Sequence, residues 1–422
     1  MPKEKPNDVN VTVTLSANFP GLSRTGEKIE HGLDKSKIET LCNKIDNNQI
    51  QMLDPETLEP IGIAEQKKLH PLLKGPLSGS HAKSDPVTGD VYNYNLDLGR
   101  IGSYRIFTVS ASTGKTSILA TINHAAAYLH SIFLTEHYVI LCVWNSFFKA
   151  GGISILWTKN YDDAMSNYDK SKPSTWFIVD RKPVEEGGKG LVATYESDAF
   201  YAFHTINAYE EPSPTDLSHT DIVADVCAYD SLDIIKRFYI SNLISDSPTA
   251  VPFCDPSNLS ARAAFRRFRL PNLPSKPNST PLRATTEFNA QKGLCPELPS
   301  VNNSVRTRRH RYIYGVTDTG KSSFLDGLIK YDVETMENLQ WSEHGQTAGE
   351  ATFIADPEGT AEDDGVLMTV VLDGVNGDSY LLVLDAKTMR EVGRANVGSV
   401  VGFGFHGTHV PDAVGKPVER LL

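Results

Sequence analysis

A six-residue turn recurs along this chain and narrows its possible folds more than any other feature. It reads Asp54-Pro-Glu-Thr-Leu-Glu, Asp332-Val-Glu-Thr-Met-Glu and Asp385-Ala-Lys-Thr-Met-Arg, with a fainter copy at Ser110-Ala-Ser-Thr-Gly-Lys. An Asp or Ser at its head can hydrogen-bond the following backbone, so each copy closes a tight connection and the next strand can start at once. Between the turns lie short β-branched or aromatic runs bounded by Gly, Asp, Asn or Pro. They are "VTVTL" at 11, "VYNYNL" at 91, "YRIFTVS" at 104, "HYVILCVW" at 137, "GISILW" at 152, "WFIVD" at 176, "HRYIYGV" at 310, "VLMTVVLDG" at 366 and "SYLLVLDAKT" at 379. Hairpins repeated on this scale predict an all-β chain built of propeller blades, each of roughly 40 to 50 residues. Helical signal is confined to "KSKIETLCNKI" near 35, "TKNYDDAMSNY" near 158 and "SNLSARAAFRRFRL" near 257. The Pro-rich stretches at 248–256 and 271–281 read as surface connections, because strand patterns resume beyond them, so residues 1–422 are expected to form one domain.

The charge balance, 52 acidic against 41 basic residues with a net charge of −11, argues against nucleic acid as a partner. Five widely spaced cysteines without a CxxC pair encode neither a disulfide framework nor a thiolate zinc site. The N-terminal "MPKEKPNDVN" has no apolar segment of a secretory signal, and the sequons at Asn258 and Asn278 read as incidental, so the protein is expected in the cytoplasm. The longest apolar region, residues 125–157, is broken by His130, Glu136, His137, Asn145, Lys149 and Gly151, short of the roughly 18 uninterrupted residues a membrane helix needs. Within it Trp144, Phe147 and Phe148 flank a Gly-Gly pair. They could dip into a membrane from one side, or they could simply be two buried strands and a loop.

Two motifs carry chemistry. Gly315-Val-Thr-Asp-Thr-Gly320-Lys321-Ser322 matches the phosphate-binding GxxxxGK[ST] pattern, which makes a nucleotide hydrolase the alternative reading. That motif works only when a helix follows at once and aims its amides at the phosphates, and here the chain continues into strand-like "LIKYD". The second motif is a set of four histidines in unusual company: His81 in "SGSHAKSDP", His130 in "YLHSIFLTEHYVI", His204 in "YAFHTINAYEE" and His406 in "FGFHGTHVP". Neutral imidazoles bind divalent iron, and four of them leave up to two octahedral positions open for dioxygen or water. A site with no carboxylate ligand keeps the full charge of its metal, which favours outer carboxylates that accept a hydrogen bond from the far side of each ring. Glu297 in "CPELPSVN" and Glu350 in "GEATFIADP" are the candidates.

The stretches "SGSHAKSDPVTGDVYNY", "YLHSIFLTEHYVIL", "FHTINAYEE", "GEATFIADPEGTAEDDGVLMTVVLDG" and "FGFHGTHVP", in this order over about residues 9–411, resemble the carotenoid cleavage oxygenase family. That family includes stilbene-cleaving dioxygenases and the retinal pigment epithelium isomerase. The resemblance implies a seven-bladed propeller with a small helical cap, and Fe(II) held on its axis by His81, His130, His204 and His406. It further implies that Glu297 and Glu350 stand behind those ligands and that a C=C bond of a carotenoid, apocarotenoid or stilbene is cleaved by O2 into two carbonyl products. A further glutamate of the family, upstream of "DPETLEP", falls here at Asp46 or a neighbour, and stilbene-cleaving relatives place a substrate-contacting lysine near Lys44. Relatives also carry an N-terminal portion that helps close the ring. Without it, open strand edges would invite pairing, and a propeller that binds a ligand without catalysis is the second alternative.

Overall fold

The computed structural model describes residues 13–410 apart from 35, 159, 245 and 279. The readings of the N-terminal "MPKEKPNDVN" and of Ser279 in the second sequon lie outside the described residues. The described chain is all-β with a few short helices, arranged as a six-bladed propeller of sheets that are antiparallel except where Leu282–Arg283 pairs in parallel with Leu191–Ser197. Successive sheets begin at the strands Thr14–Ala17, Leu77–Ser78, Phe133–Leu134, Tyr201–Pro212, Glu297–Ser300 and Gln346–Ala348. The expectation of seven blades is therefore corrected to six among the described residues. The physical reason is that some sheets consume more chain than a tight meander needs. The third sheet contains the excursion 144–173 between its strands Tyr138–Val143 and Ser174–Asp180, and the fourth contains 230–263 between Thr220–Tyr229 and Ala264–Leu270.

Those excursions form the helical cap. It consists of single turns, Ile155–Thr158, Tyr161–Ala164, Asp233–Arg237, Ile240–Leu243 and Val251–Cys254. The Tyr239 hydroxyl donates to Asp162 at 2.5 Å and ties one excursion to the other. "GISILW" is not a strand, because Ala150, Gly151 and Gly152 take positive φ and turn the chain into the helical turn at Ile155. Trp144 and Phe148 are buried and Phe147 is half-buried, so these rings pack inside the protein rather than against a bilayer. Among the described residues no helix is long and apolar enough to cross a membrane.

The recurring turn behaves as its composition predicts. Asp54 Oδ1 accepts from the amides of Glu56 and Thr57 at 2.9 and 3.0 Å, and Asp332 Oδ1 from those of Glu334 and Thr335 at 2.9 and 3.2 Å. Asp385 Oδ1 accepts from the Thr388 amide at 2.7 Å. The residue four positions after the head donates its amide back to the head carbonyl and takes a left-handed φ: 61° at Leu58, 63° at Met336 and 58° at Met389. Glycine holds that position at Gly114, and at Gly89 in a fifth copy beginning at Asp85, where this conformation costs no Cβ clash.

Two expected helices are strands. "KSKIETLCNKI" contains the strand Leu41–Lys44, and "ARAAFRRFRL" contains Ala264–Leu270. In the latter, cross-strand charge overrides helical propensity. Arg267 sits opposite Asp225 in the register and grips it with two hydrogen bonds of 2.8 and 2.7 Å, while Arg269 reaches Asp221 and Glu287. The phosphate-loop motif is also a hairpin. Gly315 lies within the strand Tyr312–Thr317, and the loop runs straight into Gly327–Asp332 with no helix between. Asp326 accepts from the amides of Thr319 and Lys321 at 2.7 and 2.6 Å, so the amides that would cradle a phosphate face a carboxylate. Lys321 Nζ donates to Ser342 at 2.8 Å. The nucleotide reading has no structural basis. All five cysteines are free.

Asp225 is fully buried, and burial opposes its charge, but the contacts from Arg267 and His310 outweigh it and hold the carboxyl below the ordinary carboxylate range. Its stabilising contribution is therefore complete above the unfolded value of about 3.9 and lost as pH falls through the lower folded value. Asp225→Asn leaves the Arg267 guanidinium without its counter-charge and is expected to destabilise the fold at neutral pH by about 3 to 5 kcal/mol. Urea denaturation at pH 7 and pH 3 checks this, with the gap between parent and variant narrowing at the lower pH.

Candidate metal centre

The leading strands of the sheets are tied to one another around a common centre. Thr14 Oγ1 donates to the Ser80 carbonyl at 2.6 Å, joining the first sheet to the second. The His81 amide donates to the His130 carbonyl at 3.1 Å, and the two segments form a parallel bridge through Ser131. Ser131 Oγ donates to the Phe203 carbonyl and Thr205 Oγ1 to the Ile132 carbonyl, the latter at 2.8 Å, which carries the connection to the fourth sheet. The Phe353 amide donates to Ser300 Oγ at 3.2 Å, joining the fifth sheet to the sixth.

This lacing brings the four sequence-predicted histidines together. The ligand nitrogens of His81, His130, His204 and His406 all lie within 4.8 Å of one another. His204 is aimed by a bulge: the ladder with Thr220–Tyr229 slips between Ala202 and Thr205, so Phe203 and His204 together face a single residue of the partner strand. His406 comes from the segment after the last strand, Glu391–Asn396, and docks along the sixth sheet. The Glu350 amide donates to the Gly404 carbonyl at 2.9 Å, and Gly349 is approached so closely that a Cβ there would stand 2.7 Å from the same oxygen.

Three of the rings are held from behind by carboxylates. His204 Nδ1 lies 2.6 Å from Glu297, His130 Nδ1 lies 2.8 and 2.9 Å from the two oxygens of Asp46, and His406 Nδ1 lies 3.2 Å from Glu350. Each carboxylate is itself secured. Glu297 accepts from the Tyr229 hydroxyl at 2.6 Å and from the Leu298 amide at 3.0 Å, with Leu298 in a left-handed conformation, φ 48°. Asp46 accepts from Ser80 Oγ at 2.6 Å and from the Tyr128 hydroxyl at 2.7 Å, and Glu350 from the Gly407 amide at 2.7 Å. Burial pushes Asp46 and Glu297 up, but their histidines and hydroxyl donors outweigh it and keep both ionised. Burial, only partly offset by Glu297, brings His204 down to about 4. Burial and the other three rings bring His81 well below its ordinary value. At His204 the resulting arrangement is a neutral imidazole donating Nδ1–H to Glu297, with the Nε2 lone pair turned inward.

That arrangement fits a metal ion. His81 Nε2 lies 3.1 Å from both His130 Nε2 and His406 Nε2, and a single ring proton could satisfy only one of the two contacts. His204 Nε2 is buried without a hydrogen-bond partner. Metal–imidazole bonds of about 2.1 Å at right angles would place neighbouring nitrogens about 3 Å apart, the separation seen here. The donor set of four neutral nitrogens suits a divalent first-row ion.

In front of the rings lies a cavity of about 910 Å³, with Phe133, Leu134, Ile206, Ala208, Pro299 and Val301 among its walls. Lys44 also lines it. It is buried, donates to Ser16 Oγ at 2.7 Å, and burial brings it down to about 8. The four histidines, Glu297 and Glu350 thus come together at one centre, and Lys44 lines the cavity in front of it. Sequence reading missed the hydroxyl donors Ser80, Tyr128 and Tyr229 and left Asp46 only loosely located. Tyr128 had a signal, since in extended chain it shares a face with His130 two residues on. Tyr229 had none, being brought in from the neighbouring strand.

Residues 3–411 match the family model described as retinal pigment epithelial membrane protein. A carotenoid dioxygenase of Neurospora crassa is 41% identical over 390 residues, which cover 89% of this chain and 62% of that protein. A torulene dioxygenase of Gibberella fujikuroi is 36% identical over 420 residues, covering 96% and 72%. The β,β-carotene 15,15'-dioxygenase of Mus musculus is 27% identical over 419 residues, covering 89% and 69%. The chain therefore spans under two thirds of the Neurospora relative's length. Among solved structures, a variant of Synechocystis apocarotenoid oxygenase superposes with a TM-score of 0.69 at 20% identity, covering 87% of this chain and 72% of that one, which speaks for the fold.

The carboxylates behind the rings set ring orientation and basicity, so Asp46→Asn and Glu297→Gln are each expected to weaken metal binding by about 10- to 100-fold. Chelator competition against the parent protein measures the loss. Tyr229→Phe removes one donor to Glu297 and should weaken it less.

Proposed function

The chain belongs to the carotenoid oxygenase family of the retinal pigment epithelial membrane protein, and on that premise we propose that it is a non-haem Fe(II) dioxygenase. Its substrate is a hydrophobic polyene of the carotenoid or apocarotenoid class, or a stilbene, and it divides one C=C bond with O2 so that each carbon ends as a carbonyl. The observation that carries the reading is the convergence of four imidazole Nε2 atoms, three of them backed through Nδ1 by carboxylates. Iron bound there supplies the activation of dioxygen that a closed-shell alkene cannot achieve by itself.

The residues of the chain do the rest. His81, His130, His204 and His406 hold the ion through neutral rings, so the site keeps its positive charge. Asp46, Glu297 and Glu350 fix the three tautomers and balance part of that charge from outside. Phe133, Leu134, Ile206 and Val301 offer an apolar wall along which an extended chain can lie with water excluded. Lys44, buried and lining the same cavity, would donate to a phenolic or other oxygen on the substrate.

Purified protein reconstituted anaerobically with Fe(II) is expected to hold about one iron per chain, and His204→Ala to lose most of it, as metal analysis after gel filtration will read. Folded protein that takes up no iron would instead favour a propeller that binds ligands without catalysis. Lys44→Ala is expected to raise KM for a hydroxylated stilbene about tenfold, the loss of one charge-assisted hydrogen bond. Unchanged steady-state kinetics would remove Lys44 from the site.

A further inference from the structure

The cavity in front of the imidazoles is not uniformly apolar. Its described lining includes four cationic side chains, Lys37, Lys44, Lys83 and Arg306, against one carboxylate, Glu350. Glu350 is taken up by the His406 ring and the Gly407 amide. Lys44 donates to Ser16, and Lys37 is exposed to solvent. Lys83 and Arg306 remain, and neither side chain has a hydrogen bond or ion pair among the described residues.

Their placement is specific. Lys83 opens the two-residue strand Lys83–Ser84 and stands two residues beyond His81, so in extended chain it shares a face with that ring. Arg306 follows the turn Asn303–Val305 between the first two strands of the fifth sheet and reaches the same cavity from another blade. Arg306 is exposed like Lys37 but lines the open cavity beside Glu350, where burial lowers its pKa and the Glu350 carboxylate partly offsets that. Both Lys83 and Arg306 line the one cavity, approaching it from different blades. Glu350 is the single carboxylate among these cations and is already engaged by His406 and the Gly407 amide, so the cavity keeps a net positive charge that a further anion would relieve. An arginine fork beside an ammonium group is the pairing best matched to a planar carboxylate.

We infer that Lys83 and Arg306 form a subsite for an ionised carboxylate at one end of a polyene, so that the cavity selects apocarotenoid acids over hydrocarbon carotenes. The inference rests on the polyene reading above and narrows it.

The test is equilibrium binding followed by quenching of tryptophan fluorescence, on metal-free and Fe(II)-loaded full-length protein at neutral pH, with retinoic acid and its methyl ester as probes. The acid should bind about tenfold or more tightly than the ester, the worth of one charge-assisted contact pair. Arg306→Gln should bring that ratio close to one, and Arg306→Lys should restore part of it. Lys83→Met should lower the ratio as well, with the thermal unfolding midpoint showing that each variant is folded. Equal binding of acid and ester by the parent would overturn the inference, and so would a preference that Arg306→Gln leaves intact. Iron content and polyene cleavage measured on the same preparations separate the two readings. Preference for the acid without cleavage keeps the subsite and removes the oxygenase, whereas cleavage of hydrocarbon polyenes without preference removes the subsite alone.

Discussion

The geometry of the whole centre depends on backbone contacts between blades rather than within them. The four histidines come from four separate stretches of chain, and no local motif could bring them within reach of one another. Three of them meet because their segments are pinned to one another, His81 to the His130 carbonyl, Ser131 to the Phe203 carbonyl and Thr205 to the Ile132 carbonyl, and His406 is docked against the sixth sheet through Glu350. The residues that do the pinning are the ligands themselves or their immediate neighbours. Packing between these blades and ligand placement are thus one constraint, and a shift of one of them would displace a nitrogen as well as a strand.

A second layer of order lies behind the rings. Two Nε2–Nε2 contacts of 3.1 Å converge on His81, and with carboxylates behind the Nδ1 atoms of His130 and His406 a ring proton on His81 could relieve only one of them, whereas a cation would relieve both. Asp46, Glu297 and Glu350 are each fixed by further donors, so the orientation of every backed ring is set two bonds away from the centre. His81 is the ring without such a carboxylate in the hydrogen bonds described above. It is also the one whose Nε2 faces two of the others.

What the sequence made legible was local chemistry. Asp-headed turns with a threonine in fourth place could be read as hairpins because the side chain that caps the turn is within the motif. The four histidines could be read because their neighbours were atypical. Less legible was anything decided by residues far apart. Ala264–Leu270 has helix-forming composition and is a strand because Asp225 lies across from Arg267. The phosphate-loop pattern is complete as a string, and what disqualifies it is Asp326 accepting the amides that a phosphate would need. The expectation of seven blades came with the family resemblance rather than from the residues, and the described chain forms six sheets. Asp46 was hard to locate because it sits in a turn between strands of the first sheet, where only the three-dimensional partner, His130, marks it out.

The placement of His406 has a consequence for how the protein responds to its surroundings. This ring is carried by a segment that belongs to no sheet and is held through Glu350 and the close passage of Gly349 and Gly404. Any ion bound by all four rings is therefore also a clasp on that segment, and by linkage the free energy of coordination is shared with that of docking. Protease sensitivity of residues 397–410 would then report metal occupancy from outside the cavity, and a molecule that pried the segment loose would act as a chelation antagonist without touching the metal.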